Sequence, residues 1–273
     1  MESPIVTLTT DWGYHDFFAG MVKGKLYSYI PNVRVVDITH GLEPFQIAKA
    51  IFVVKNACMG FPEGTIHIID NNSSQSLENP FVVVKFRGQY YICIDNGLPK
   101  AVFGSEAEEA VLVDVHDESS FHTFAANDLF CKVAAMLAHG ATLADIGNPI
   151  EEFCQYTPIN TLITDEMIKV YVAYIDSYGN ADLNITYEEF DKLCAQRDFI
   201  MYVRDAVFER IVHNYIDVPK DSRGRDRLLL TVSSTGHLQI AMREASAQQF
   251  LGLQLFESVI IKFWKKKQMG KQI

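Results

Sequence analysis

Through its first half the chain alternates short β-branched runs with longer stretches of helical periodicity. "IVTLTT" (5–10), "VRVVDIT" (33–39), "GTIHIID" (64–70), "FVVVKF" (81–86), "QYYICID" (89–95) and "AVLVDV" (110–115) read as strands. Between the first three, residues 17–29 and 46–60 place apolar side chains at i, i+3 and i+4, the spacing of one helix face. Strands alternating with helices of that length predict βαβ units and a mostly parallel sheet, hence an α/β domain. "FRGQY" at 86–90 predicts a hairpin turn, and residues 128–139 predict a further amphipathic helix stopped by Gly140.

The pattern changes after that helix. Residues 147–166 carry Pro149 and Pro158 with little periodicity, which places a linker over 151–166 between an N-terminal domain at 1–150 and a C-terminal domain at 167–273. "KVYVAYID" (169–176), "DFIMYVR" (198–204), "RLLLTVS" (227–233), "HLQIAM" (237–242) and "SVIIKFW" (258–264) are strands with few helices between them, so the smaller second domain is expected to be β-rich. "PKDSRGRDR" (219–227) reads as a polar hairpin loop.

Composition narrows the function classes. Of 273 residues, 48% are hydrophobic and 21% charged, the balance of a soluble globular protein. No stretch approaches the ~18 uncharged apolar residues of a membrane span, so no membrane partner is expected. "MESPIVTLTTDWG" enters strand-like sequence without a basic or apolar leader, which makes a cytoplasmic location the expectation. A net charge of −10 repels phosphate backbones and argues against nucleic acid as a partner; the basic run "KFWKKKQMGK" near the C-terminus reads as a solvated tail. The five cysteines, 58, 93, 131, 154 and 194, are far apart and odd in number, the pattern of packed thiols rather than of disulfides or zinc ligands.

In an open α/β sheet, ligands bind beyond the carboxyl ends of the strands, and Asp11, Asp37 and Asp70 each stand at or near such an end. The chain has neither G-x-G-x-x-G nor G-x-x-x-x-G-K-[ST], the usual backbone cradles for pyrophosphate and triphosphate, and no G-x-S-x-G elbow. His67 and Asp70, three apart on one strand, point to opposite faces, so His67 is expected to be a packing residue. The eight histidines form no H-x-H or H-x-x-x-H pair, and neither a metal nor a cofactor is expected. An ionised aspartate without a metal or neighbouring base suits a different role, since its two oxygens match the vicinal hydroxyls of a ribose. Asp11 is thereby a candidate for holding a nucleoside.

The run "TLTTDWGYHDFFAGMVKGKLYSYIPNVRVVDITHGLEPFQIAKAIF" resembles the opening of the S-adenosyl-L-methionine (SAM) hydrolases, or SAM hydroxide adenosyltransferases, relatives of the fluorinating and chlorinating enzymes. The family pattern T-D-F-G-x-x-D falls on Thr10, Asp11, Trp12, Gly13 and Asp16, and V-D-I-T-H on Val36 to His40. "FPEGTIHIID" (61–70), "DNGL" (95–98), "IDSYGNADLNI" (175–185) and "SSTGHLQIA" (233–241) follow in family order. The resemblance implies an α/β N-terminal domain, a β-barrel-like C-terminal domain, and a homotrimer whose nucleoside sites lie where one subunit's N-terminal domain meets a neighbour's C-terminal domain. It implies that SAM is the substrate and that water displaces methionine at ribose C5′ to leave adenosine. Asp70 then corresponds to the catalytic aspartate and Asp11 to the ribose ligand, with Phe45 against the ligand. Asp176, Tyr178, Asn180 and Ser234 fall on the nucleoside and methionine side, Tyr178 suited to stacking on adenine.

The chain departs from the family beside Asp70. A glycine-rich turn and an arginine are replaced by "DNNSSQSLENP" (70–80), the arginine falling on Leu77 or Asn79. The family motif F-H-G-R-D is replaced by "FAAND", with Ala125 at the histidine position and Asn127 at that of a second arginine. Asn71, Asn72 and Asn79 remain as groups able to orient water, and His122 as a stand-in base. Two functions follow: a slow SAM hydrolase relying on Asp70, or a protein that binds SAM or adenosine without turnover. Halogenation is disfavoured, because the run from Asp70 to Ala125 leaves little room for the extra halogenase loop.

Overall fold

The computed structural model describes residues 3–72, 76, 78–115, 123–195, 197–218 and 227–264. The chain forms two compact units, Met1–Thr157 and Pro158–Ile273. Of the residues singled out above, Leu77 and His122 lie outside the described set, as do 219–226 and 265–273.

In the first unit the elements are β1 (Ile5–Thr10), α1 (Phe18–Tyr29), β2 (Arg34–Thr39), α2 (Ile47–Ala57), β3 (Ile66–Asp70), β4 (Phe81–Phe86), β5 (Gln89–Ile94), α3 (Leu98–Val102), β6 (Glu109–Val113), α4 (Cys131–Ala138) and β7 (Gly147–Pro149). The strands form one seven-stranded sheet in the order β2-β1-β3-β5-β4-β6-β7, parallel from β2 to β5 and antiparallel from β5 to β7. β4 and β5 are the expected hairpin, its tight turn made by Arg87 and Gly88, both at positive φ.

Alternation along the strands builds a core on each face. Val6, Leu8, Ile66 and Ile68 pack against Val22 and Leu26 of α1 and Cys131 and Ala134 of α4. Ile69, Val82, Val84 and Tyr91 pack against Ala50, Ile51 and Val54 of α2 and Leu98 of α3. With helices covering both faces, β1 and β3 are buried almost throughout, polar residues included, and Asp70 at the carboxyl end of β3 is itself 5% exposed. The helix expected over 128–139 is regular only from Cys131, because Ala126–Phe130 form a wider π-type turn.

The second unit contains β8 (Leu162–Ile163), β9 (Met167–Ile175), β10 (Ala181–Thr186), α5 (Tyr187–Cys194), β11 (Asp198–Val203), β12 (Ala206–Phe208), β13 (Leu228–Val232), β14 (His237–Met242), α6 (Ala247–Leu251) and β15 (Ser258–Trp264). Its sheet is antiparallel, ordered β12-β11-β15-β9-β10-β14-β13 with β8 added beside β9, and it curls into a nearly closed barrel-like form. Ile168, Val170 and Val172 of β9 and Val259, Ile261 and Phe263 of β15 alternate inward to form its core. β7, just ahead of the expected linker, pairs with β6, and β8 within it is paired strand against β9. No helix among the described residues is long and apolar enough to cross a membrane.

Candidate functional site

The parallel pairing of β1 with β3 sets Thr10 opposite Asp70, and the Asp11 N–H continues the ladder by donating to the Asp70 carbonyl at 3.2 Å. Two carboxylates therefore leave adjacent strand ends one residue apart in register. Asp11 Oδ2 accepts from the backbone N–H of Asn72 at 3.0 Å and from Asn71 Nδ2 at 3.2 Å. Asn71 and Asn72 thus orient Asp11, a different use from the water-orienting one expected of them.

Asp70 is 5% exposed, and its Oδ2 accepts from Trp12 Nε1 at 2.7 Å. The indole is fixed in turn. It stacks on the His40 ring at 5.5 Å between centroids and meets the edge of Phe124 at 5.2 Å. His40 is 2% exposed and is tied through Nδ1 to Thr10 Oγ1 at 2.7 Å. Gly13 adopts φ +75 so that the chain can turn off β1 and donate its N–H to the His40 carbonyl at 2.7 Å; only glycine does so without strain.

Asp37 does not join this pair. It lies two positions earlier in register, opposite Leu8, and its carboxylate binds Lys23 Nζ at 2.6 Å with His40 Nε2 at 3.2 Å. Partial burial pushes the Asp37 carboxyl up, but Lys23 and His40 together hold it below the ordinary carboxylate range. Its role is to anchor α1 and His40.

Phe45 sits in the turn before α2 with its ring 80% exposed and its backbone at φ +66, a region an aromatic residue seldom occupies. Strain of that kind gathers at ligand sites because the fold must hold it against a cost of roughly 1–3 kcal/mol.

The remaining four residues belong to the second unit. Asp176 Oδ1 accepts from the N–H groups of Tyr178 and Asn180, each at 2.9 Å, while Oδ2 accepts from Asn180 Nδ2 at 3.0 Å. Asp176 and Asn180 therefore build the loop between β9 and β10, and the loop presents Tyr178 with its ring 79% exposed. Gly179 is required at φ +80, where a Cβ would lie 2.0 Å from Ser246 Oγ. Ser234 is exposed in the turn between β13 and β14.

The positions that depart from the family are otherwise engaged. Ala125 packs against the core, Asn127 Nδ2 donates to Asp128 Oδ1 at 2.8 Å, and Asn79 donates to Ser76 Oγ. The five cysteines are free thiols, and burial pushes Cys58 and Cys131 up to about 12, far from thiolate chemistry. Among the described residues no three His, Cys, Asp or Glu side chains gather as a metal ligand set.

Two groups had no place in the sequence pattern. Trp12 as a partner of Asp70 is visible only as a tryptophan where the family pattern has phenylalanine. Asp182 on β10 is 5% exposed and accepts from Gln239 Nε2 at 3.1 Å, Gln239 itself accepting from the Tyr215 hydroxyl at 2.7 Å. Burial is the main cause that pushes the Asp182 carboxyl up to about 6, with Asp176 adding repulsion and Ser233 and Gln239 pulling the other way.

Fold and strand-end carboxylates together describe an α/β unit that brings Asp11 and Asp70 together at adjacent ends of parallel strands, followed by a barrel-like unit. Models of the SAM hydroxide adenosyltransferase N-terminal and C-terminal domains match residues 6–147 and 170–260. The chain belongs to the SAM hydroxide adenosyltransferase family. It is 23% identical over 273 residues to the (R)-S-adenosyl-L-methionine hydrolase of Methanocaldococcus jannaschii, spanning 94% of this chain and 95% of that one. The hydrolase of the same name from Salinispora tropica is 27% identical over 258 residues, spanning 92% and 95%. A fluorinase of Nocardia brasiliensis is 25% identical over 221 residues, spanning 70% and 74%. In structure the chain is similar to a conserved protein from Thermotoga maritima, with a TM-score of 0.83 and 26% identity over 94% of this chain and 99% of that one.

Proposed function

We propose that the protein hydrolyses SAM to adenosine and L-methionine, Asp70 orienting the attacking water and taking its proton. The observation that carries this reading is the pairing of Asp11 with Asp70 on adjacent strand ends, the second carboxylate nearly buried and oriented by an indole N–H. The hydrolase names of relatives spanning more than nine-tenths of the chain support it. A water lone pair forms the O–C5′ bond as the C5′–S bond breaks. The sulfonium sulfur takes the electron pair and leaves as the neutral thioether of methionine. No proton need be supplied to that leaving group, so positioning and one proton acceptor suffice.

In this reading SAM is a substrate and no cofactor takes part. Asp11 accepts the ribose hydroxyls, Phe45 and Tyr178 offer their exposed rings to the ligand, and Asp176, Asn180 and Ser234 shape its nucleoside and methionine side. The partner is a small nucleoside rather than nucleic acid, in keeping with the net charge of −10. The resemblance further leads us to a cytoplasmic homotrimer; a monomeric mass by light scattering would remove the shared site.

Asp11→Ala is expected to weaken adenosine binding about 10- to 100-fold, through loss of charge-assisted hydrogen bonds of ~1.5–3 kcal/mol. Calorimetry that returns an unchanged affinity, with the variant's melting temperature also unchanged, removes Asp11 from the ribose.

The function itself is tested by incubating the protein with SAM in ¹⁸O-water. Adenosine carrying the label at its 5′ hydroxyl is the expected product; methylthioadenosine, or unlabelled adenosine, overturns the displacement. Ala125 and the engaged amide of Asn127, where the family has histidine and arginine, favour a second reading, a SAM-binding protein without turnover. Tight retention of SAM with no adenosine would decide for it.

A further inference from the structure

We infer that Trp12 is a positioning residue for Asp70, and that its indole N–H does by a neutral hydrogen bond what the family arrangement does with an arginine. The inference rests on the hydrolase reading and deepens it. Trp12 Nε1 lies 2.7 Å from Asp70 Oδ2, the distance of a strong bond to a carboxylate. The ring cannot swing away easily, because His40 stacks on one face at an interplanar angle of 15° and Phe124 closes on it edge-on at 74°. His40 is itself pinned through Thr10, the last residue of β1, so the donor is referenced to the same strand end as Asp11. A phenylalanine at position 12 could fill this slot and stack as well, but would offer no donor.

The chemical consequence separates a neutral donor from a cationic one. Both fix the rotation of the carboxylate and favour its ionised form. A guanidinium also places a full positive charge beside it, which lowers its basicity strongly. An indole orients the carboxylate and leaves it the more basic of the two, which suits a group that must take a proton from water.

The test is Trp12→Phe, read by steady-state kinetics across pH and by the indole N–H signals in a ¹⁵N correlation spectrum. The protein has two tryptophans, so the signal lost in the variant assigns Trp12. In the wild type that signal is expected downfield, moving when Asp70→Asn is introduced and when acid protonates Asp70. Trp12→Phe is expected to lower kcat about tenfold with KM for SAM within twofold, and to move the acid limb of kcat to higher pH. A purely structural role would instead lower the melting temperature and the active fraction without moving the limb. An active wild type whose kcat and pH profile survive the substitution overturns the inference, as does an indole signal indifferent to Asp70→Asn. A wild type that releases no adenosine sinks the hydrolase reading alone, since the indole signal still reports whether the bond exists.

Discussion

Asp70→Asn is expected to lower the rate of adenosine release about 10²–10⁴-fold, ~3–5 kcal/mol of barrier, while KM for SAM and affinity for adenosine change little. The asparagine keeps the size of the side chain and an oxygen for Trp12 to donate to, so the pocket is preserved and only the proton acceptor is lost. The loss is large because few other groups can take that role. The family's histidine position is Ala125, and Asn127 and Asn79 are amides bound to their own neighbours. It is not total, because placing water in line with the C5′–S bond is worth several kcal/mol without any base. Stability should hold or rise, since a carboxylate 5% exposed is replaced by a neutral group of the same shape. Single-turnover measurement with SAM in excess of KM reads the chemical step directly. A variant within threefold of the wild type would remove Asp70 from the chemistry and leave positioning as the whole of catalysis.

The fold was legible where one period dominated. β15 alternates over 258–264 and appears at those residues, and the burial of β1 and β3 on both faces extends to their threonines and His67. Short helices escaped. α5 is eight residues long and follows directly on the strand-like "ADLNIT", although Thr186 and Glu189 form a capping box that marks its start. α3 has five residues, Leu98–Val102, and follows Gly97 at φ +94, too little for a period to show.

The site divides in the same way. That Asp11 and Asp70 stand at neighbouring strand ends could be read from the two strand runs that precede them. Their surroundings could not, since the Trp12–Asp70 bond joins residues 58 apart and the turn of Asn72 toward Asp11 depends on a backbone at φ +53. Asp182 was passed over because an acid in an alternating strand reads as the solvent face, whereas Ala181, Asp182 and Leu183 are all buried.

Acidification is expected to move the two units in opposite directions, the first losing stability between pH 6.5 and about 4 while the second gains it between pH 6 and about 4. In the first unit His67 is fully buried on the α2 face, its Nδ1 bound to Thr7 Oγ1 and its ring stacked on Tyr91. Burial pushes the imidazole down to about 4 from an ordinary 6.5; Gln89 beside it offsets only part, and Nε2 has no aligned partner among the described residues. The unfolded chain therefore takes up a proton first. Stability is full above pH 6.5 and falls as pH drops toward 4, by about 3 kcal/mol at ~1.4 kcal/mol per unit. Asp182 has the reverse sign. Its carboxyl is raised from 3.8 to about 6. The folded second unit thus binds the proton first, and the stabilisation, about 3 kcal/mol when complete, is present in acid and lost as pH rises through 6. The pair of Arg204 with Glu257 opposes this in the second unit, but an exposed pair screened by solvent contributes little, so the buried acid decides the sign. Amide exchange followed strand by strand at pH 7 and pH 4.5 measures both slopes in one sample. Asp182→Asn, which keeps the size of the side chain, should stabilise the second unit at pH 7 and flatten its slope without touching that of the first. Parallel losses in both units on acidification would mean that the Asp182 charge is better solvated than its burial implies.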